Sequence, residues 1–199
     1  MMILRSSPPS PFGRKVKLAA SHLGLMDRIR VEVADTTDPK DSLVGQNPLA
    51  KIPTLVLEDG TCLYDSRVIV EYLDWLAGGG RLIPAAPARW RALQLAALAD
   101  GIMEAALLLV YEKRIRPKDQ WNAQWMDNQQ GKIARGLAAL EAAPPPLAVE
   151  VGQIGLACAL GYLDLRHEGA WRTSSPRLVG WLDGLANLLP AFEETRVKT

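Results

Sequence analysis

Hydrophobic positions change their period about two fifths of the way along the chain. Ile3 and Leu4 form a short apolar run that stops at the proline-rich turn Ser6 to Pro11, which predicts a strand entering a turn. Gly13 to Leu23 carries Val16, Ala19, Ala20 and Leu23 at helical spacing, with Gly24 placed to end the helix. Ile29, Val31 and Val33 alternate with charged residues, the period of a half-exposed strand, and the polar segment Ala34 to Asn47 has room for a short helix. Pro53 to Glu58 and Thr61 to Tyr64 flank Asp59-Gly60, a dipeptide suited to tight hairpin turns, and so predict two antiparallel strands. Asp65-Ser66 then caps a helix carrying Val68, Ile69, Tyr72, Leu73 and Leu76, which breaks at Gly78-Gly79-Gly80.

No strand pattern follows Arg81. Leu93, Ala97, Ile102, Ala106, Leu107 and Val110 mark a long helix between Pro87 and Pro117, and Trp121, Trp125, Ile133, Leu137 and Leu140 mark a second one ended by Pro144-Pro145-Pro146. Ile154 to Leu163 is apolar nearly all round and predicts a buried central helix, with a last helix over Leu178 to Leu189. The β-α-β, link, β-β-α order followed by helices alone predicts an α/β domain at 1–78, a linker at 79–87 and an all-α domain at 88–199.

Charge and cysteine usage narrow the function. In 199 residues, 23 Lys plus Arg nearly balance 22 Asp plus Glu, so no global field favours nucleic acid or anionic membrane. The start lacks a signal-peptide run, and the most apolar stretch, Ala105 to Tyr111, is below spanning length, so a soluble, cytoplasmic protein is expected. Cys62 and Cys158 are far apart and read as small core residues rather than a disulfide. His22 and His167 read as surface or cap residues, and no cluster suggests a metal.

Three segments carry candidate chemistry. In Ser6-Ser7-Pro8-Pro9-Ser10-Pro11-Phe12 a strand ends where helix donors open, a place that favours an anion or thiolate; on spacing alone, Ser10 equally fits a plain N-cap before a first-turn proline. In Asn47-Pro48-Leu49-Ala50-Lys51-Ile52-Pro53 a proline introduces a strand, where a cis bond would expose the preceding backbone to a ligand and a trans bond is the commoner form. In Leu63-Tyr64-Asp65-Ser66-Arg67, Ser66 and the first-turn amides suit a carboxylate and Asp65 an ammonium, the two ends of an amino acid; an ordinary cap is the alternative.

Taken together, Ser7 to Val16, Asn47-Pro48 through Lys51-Ile52-Pro53, and Asp65-Ser66 resemble the glutathione-site motifs of bacterial glutathione S-transferases, closest to a serine-type group with YibF-like members. Ala99 to Met103 and Ala157 to Asp164 resemble that family's helical-domain signatures. The resemblance implies a thioredoxin-like first domain, an all-helical second domain, glutathione as co-substrate without a metal, and a homodimer. Residue by residue, it implies that Ser10 hydrogen-bonds the glutathione sulfur, with Ser7 and the Phe12 N–H as rivals. The Ile52 backbone would pair with the cysteinyl part before a cis Pro53, Asp65 and Ser66 would hold the γ-glutamyl end, and Lys51, or more weakly Lys40, would approach the glycyl carboxylate. Asp100 would reach the neighbouring subunit's glutathione, unless it is an ordinary helix-surface Asp.

Several positions depart from the family pattern. Pro9 stands where Thr is frequent, Ala50 where Gly is usual, and Glu150 to Gln153 where a capping box is expected, leaving Gln153 able to reach back. No Cys lies in the Ser7 to Phe12 turn, which disfavours thiol-disulfide exchange. The expected reaction is attack of a glutathione thiolate on a small, hydrophobic electrophile in a cleft walled by Met103, Leu107 and Tyr111, three residues that equally suit interhelical core. The alternatives are a glutathione-dependent isomerase or peroxidase, and a non-catalytic module binding a protein partner as the stringent starvation proteins do.

Overall fold

The structure, a computed structural model, describes residues 1–197. Its first part is a four-stranded sheet of order β2-β1-β3-β4, in which β1 (Met2–Ser6) pairs in parallel with β2 (Ile29–Val33) and antiparallel with β3 (Thr54–Val56). Strand β4 (Cys62–Leu63) closes the hairpin against β3, with Gly60 at φ +86 in the turn. A glycine takes that left-handed conformation without a Cβ clash. Helices α1 (Pro11–His22) and α3 (Ser66–Leu76) pack together beside the sheet, and the short helix hidden in the polar segment is α2 (Leu43–Gln46). Strand β2 is an edge strand and more exposed than its alternation suggests: Ile29 is buried, but Val31 and Val33 are not.

The second part is helical among the described residues: α4 (Ala88–Ile115), α5 (Ala123–Ala142), α6 (Val151–Arg166), α7 (Trp171–Ser174), α8 (Pro176–Leu188) and α9 (Ala191–Glu194). The fold is thus a thioredoxin-like domain followed by an all-helical domain. Helix α6 is buried along Val151 to Leu160, as its uncharged sequence requires, and packs most closely against α4. Gly152 makes the approach possible, since a Cβ there would lie 2.8 Å from the Leu95 side chain and 2.9 Å from the Ala92 carbonyl. The expected reach of Gln153 back to the α6 cap does not occur. Its amide donates to the Pro146 carbonyl instead, and Glu150 makes no side-chain cap bond.

Helix α4 fills the long span expected between Pro87 and Pro117, and its apolar character extends beyond Ala105 to Tyr111. By length and composition alone it could cross a bilayer, its best 18-residue window having a mean hydropathy of 1.8. In this fold it packs against α5 and α6, and its buried face includes the charged residue Asp100.

Between α3 and α4 the chain turns around one carboxylate. Buried Asp74 accepts from the backbone N–H groups of Gly80, Arg81, Leu82 and Ile83, satisfying four donors that no regular element pairs. Replacing Asp74 with Ala should therefore lower stability by about 2–4 kcal/mol, since four amides, those of Leu82 and Ile83 buried, lose a charged acceptor at once. Urea unfolding of the two proteins measures this, and a loss below about 0.5 kcal/mol would contradict the assignment.

Candidate functional site

Strand β1 delivers the chain to a turn in which the Ser10 N–H donates to the Ser7 carbonyl at 3.1 Å. Ser10 is the N-cap of α1, its Oγ accepting from the Gly13 N–H at 3.1 Å. That bond uses an oxygen lone pair and leaves the hydroxyl proton free to donate. Pro11, at the first helical position, has no N–H, and the Phe12 N–H has no intrahelical acceptor, so a hydroxyl and an amide open at the positive end of α1. Gly13 permits this packing, because a Cβ there would fall 2.0 Å from the Ser6 hydroxyl. The plain N-cap and the thiol-donor readings of Ser10 are thus compatible in one geometry.

The second segment is held from inside. Buried Asn47 donates to the Lys51 carbonyl at 2.9 Å and accepts from the Leu49 N–H at 3.0 Å, while the Thr54 hydroxyl donates to the same Lys51 carbonyl. The Ile52-Pro53 bond is cis. Ala50 sits at φ +48, which explains in physical terms why a glycine would suit this position. Pro53 is buried, Ile52 half-buried, and the side chains of Lys51 and Lys40 are exposed.

At the third segment, Asp65 caps α3 by accepting from the Arg67 N–H at 2.8 Å, and its side chain remains exposed. Ser66, the first residue of α3, is buried. The Tyr64-Asp65 peptide is also cis. The three candidate segments therefore lie in the turn before α1, the loop before β3 and the start of α3.

This geometry has close counterparts. The chain matches the glutathione S-transferase N-terminal domain over residues 9–76 and the C-terminal domain over residues 123–184. It is 34% identical over 191 residues to the GST-like protein YibF of Escherichia coli (strain K12), covering 92% of this chain and 93% of the relative. The chain belongs to the glutathione S-transferase family. A glutathione transferase family member from Pseudomonas fluorescens Pf-5, solved with bound glutathione, is 40% identical, with a TM-score of 0.92 and full coverage of both chains. A structure of a family member from the same organism with bound S-(propanoic acid)-glutathione, also 40% identical with full coverage of both chains, has a TM-score of 0.88.

Within this transferase fold, Asp100 is neither on the helix surface nor open toward a second subunit. It is fully buried, and its carboxylate accepts from the fully buried Lys15 ammonium at 2.8 and 3.0 Å and from Arg67 Nε at 2.8 Å. Arg67 also donates to Glu104 at 3.0 Å, and its bond to Asp100 raises its already high pKa. Both Asp100 oxygens are thus spent within the chain, joining α1, α3 and α4. Lys15 escaped the sequence reading because a lysine between apolar helix positions reads as a side chain that snorkels to water.

The three residues expected to wall the second-substrate cleft run along α4 from core to solvent. Met103 is fully buried, Leu107 half-buried and Tyr111 exposed. A spacing of four on a helix of 3.6 residues per turn advances about 40° per step, enough over two steps to carry the row from core to solvent. The cavity beside Ser10 lies elsewhere. It has a volume of about 160 Å³ and lies between the Pro8 to Pro11 turn, Arg14, the Gly161 to Leu165 end of α6, and Phe192 near the C-terminus.

Of the two cysteines, Cys158 lies in the wall of this cavity and Cys62 does not. Cys158 is fully buried, and burial pushes its thiol up to about 11, so it stays neutral and unreactive at physiological pH. Cys62 is half-buried on β4. His167 is half-buried against the Ala106 carbonyl, and burial lowers its pKa, consistent with a cap residue.

Two substitutions test the framework of the site. Asp100→Asn leaves Lys15 buried without a counter-ion and should cost about 3–5 kcal/mol, whereas Lys15→Met combined with Asp100→Leu should recover much of that loss. Chemical denaturation of the single and double variants measures the coupling, and simple additivity would contradict a shared buried pair. Ala50→Gly should raise stability by about 0.5–1 kcal/mol by relieving the left-handed alanine, read from the shift in thermal midpoint.

Proposed function

We propose that this protein is a glutathione transferase that activates the glutathione thiol as a thiolate, with Ser10 as the donor to sulfur, for attack on a small electrophile. The observation that carries the reading is the Ser10 hydroxyl, whose oxygen is anchored to Gly13 while its proton remains available at the start of α1. The glutathione-bound neighbour from Pseudomonas supports the ligand, and the neighbour holding S-(propanoic acid)-glutathione supports room for a short group on sulfur. In this reading the Ile52 backbone, Asp65 and Ser66 hold the peptide, and Lys51 approaches its glycyl end.

The energetics are sufficient. A free thiol of pKa about 8.5 is only about 3% ionised at neutral pH, and a fall of about two units makes it roughly three-quarters thiolate for about 2.7 kcal/mol. One charge-assisted hydrogen bond and a helix N-terminus each contribute on the order of 1 kcal/mol or more. The Phe12 N–H adds a further donor at the same end.

A homodimer through α3 and α4 completes the proposal. Val68 and Trp75 on α3 and Trp90 and Leu98 on α4 are large apolar side chains left exposed in the single chain, a pattern suited to a two-fold apolar contact. Light scattering at micromolar concentration should give about twice the chain mass.

The decisive experiment is a pH titration of the thiolate absorbance of bound glutathione. Ser10→Ala should raise the thiol pKa and slow conjugation roughly tenfold for about 1.5 kcal/mol lost, while glutathione affinity changes less. An unchanged titration in Ser10→Ala with a raised one in Ser7→Ala would assign the role to Ser7. No change in either would assign it to the backbone amide of Phe12.

A further inference from the structure

Arg14 presents an electrostatic problem that the site described so far does not solve. It is 8% exposed on α1, yet among the described residues it has no carboxylate within ion-pair distance. Its Nε donates to the Thr195 hydroxyl at 3.1 Å, Nη2 donates to the Phe192 carbonyl, and the guanidinium lies 4.1 Å from the centre of the Phe192 ring. Nη1 has no acceptor among the described residues. Burying a guanidinium without a counter-ion is unfavourable, and an arginine does not shed its charge at neutral pH.

The nearby charges are already matched. Asp164 accepts from Arg172 through both oxygens and from the Trp171 indole, and Arg196 pairs with Glu193. Burial pushes the Tyr162 phenol up to about 12 and Cys158 up to about 11, so both stay neutral. Among the described residues lining the cavity, Arg14 is the cation left without a counter-ion.

Space and distance fit a small anion. Arg14, Gly161 and Ser10 line the same cavity of about 160 Å³, roughly the volume of five waters. A Cβ at Gly161 would lie 2.5 Å from Nη1, so the missing side chain gives the guanidinium its place at the cavity wall. Ser10 and Arg14 lie one turn apart on α1, about 6 Å along the axis, and long helical side chains lean toward the N-terminus.

We propose that this cavity is an anion-accepting second-substrate site, in which Arg14 and Gly161 select a short carboxylic acid bearing a leaving group on a carbon close to the carboxylate. The assignment rests on the glutathione reading above and specifies its electrophile. With the carboxylate on Arg14, the reactive carbon faces the sulfur near Ser10. The glutathione thiolate, its proton already released to solvent, forms a carbon–sulfur bond as the carbon–halogen bond breaks, and the halide departs with the bonding pair. The product is a carboxyalkyl thioether of glutathione.

Calorimetry on the wild-type protein tests this with glutathione, S-(carboxymethyl)glutathione and its uncharged analogue S-(carbamoylmethyl)glutathione. The carboxylate thioether should bind about tenfold more tightly than the amide, and Gly161→Ala and Arg14→Gln should abolish that preference. Chloroacetate should likewise show a larger enzymatic rate enhancement than chloroacetamide, each taken relative to its own uncatalysed rate. Gly161→Ala keeps the arginine but forces Nη1 from its place, so it decides the matter if Arg14→Gln does not fold. Glutathione binding with equal affinity for the two thioethers, or a preference that survives in folded Gly161→Ala, would overturn the proposal and leave the transferase reading standing. Failure to bind glutathione itself would overturn both.

Discussion

The buried pair between Lys15 and Asp100 is the constraint around which the two domains are arranged. Two fully buried charges 2.8 Å apart must stay together, because separating them strands an ion in a medium of low polarity. Lys15 belongs to the helix that Ser10 caps, and Asp100 to the longest helix of the second domain. Arg67, one residue beyond Ser66, joins the same carboxylate. One anion thereby fixes α1 and α3 against α4, and with them the two helix N-termini of the candidate site.

A second carboxylate sets the path between the domains. Asp74 gathers four consecutive amides of the linker, so α3 passes to α4 through a defined turn rather than a loose tether. Close packing of α4 on α6 at Gly152 then extends the order into the helical core. The parts of the candidate site are thus held by regular elements, while the segments proposed to meet a ligand, Ser7 to Ser10 and Leu49 to Ile52, are turns supported from behind by Gly13, Asn47 and Thr54. In the proposed reaction, such support would let a weakly acidic thiol meet donors already in place.

Arg14 and Lys15 are adjacent in sequence, both buried, and treated in opposite ways. Lys15 is matched by Asp100 from across the domain boundary, whereas Arg14 is held by a carbonyl, a hydroxyl and an aromatic face, with no carboxylate among the described residues at ion-pair distance. The first arrangement stabilises the assembly of domains. The second is the basis of the proposed anion site beside Ser10.

The sequence by itself determined the order of the main elements, the change from mixed to helical structure after the triple glycine, and the three segments of the candidate site, because each is written in local periods, caps and turns. Ser10 as N-cap, the Asp59-Gly60 hairpin and the uncharged helix α6 are all settled within a few neighbouring residues. Only the tertiary structure decided the fates of Asp100, Lys15, Arg14 and Gln153, and of the row Met103, Leu107 and Tyr111. A charged side chain on a helix is equally compatible with water and with a distant partner, and the partner of Lys15 lies 85 positions away. Burial and pairing at that separation depend on how the helices meet, a property of the packed chain that no local pattern encodes.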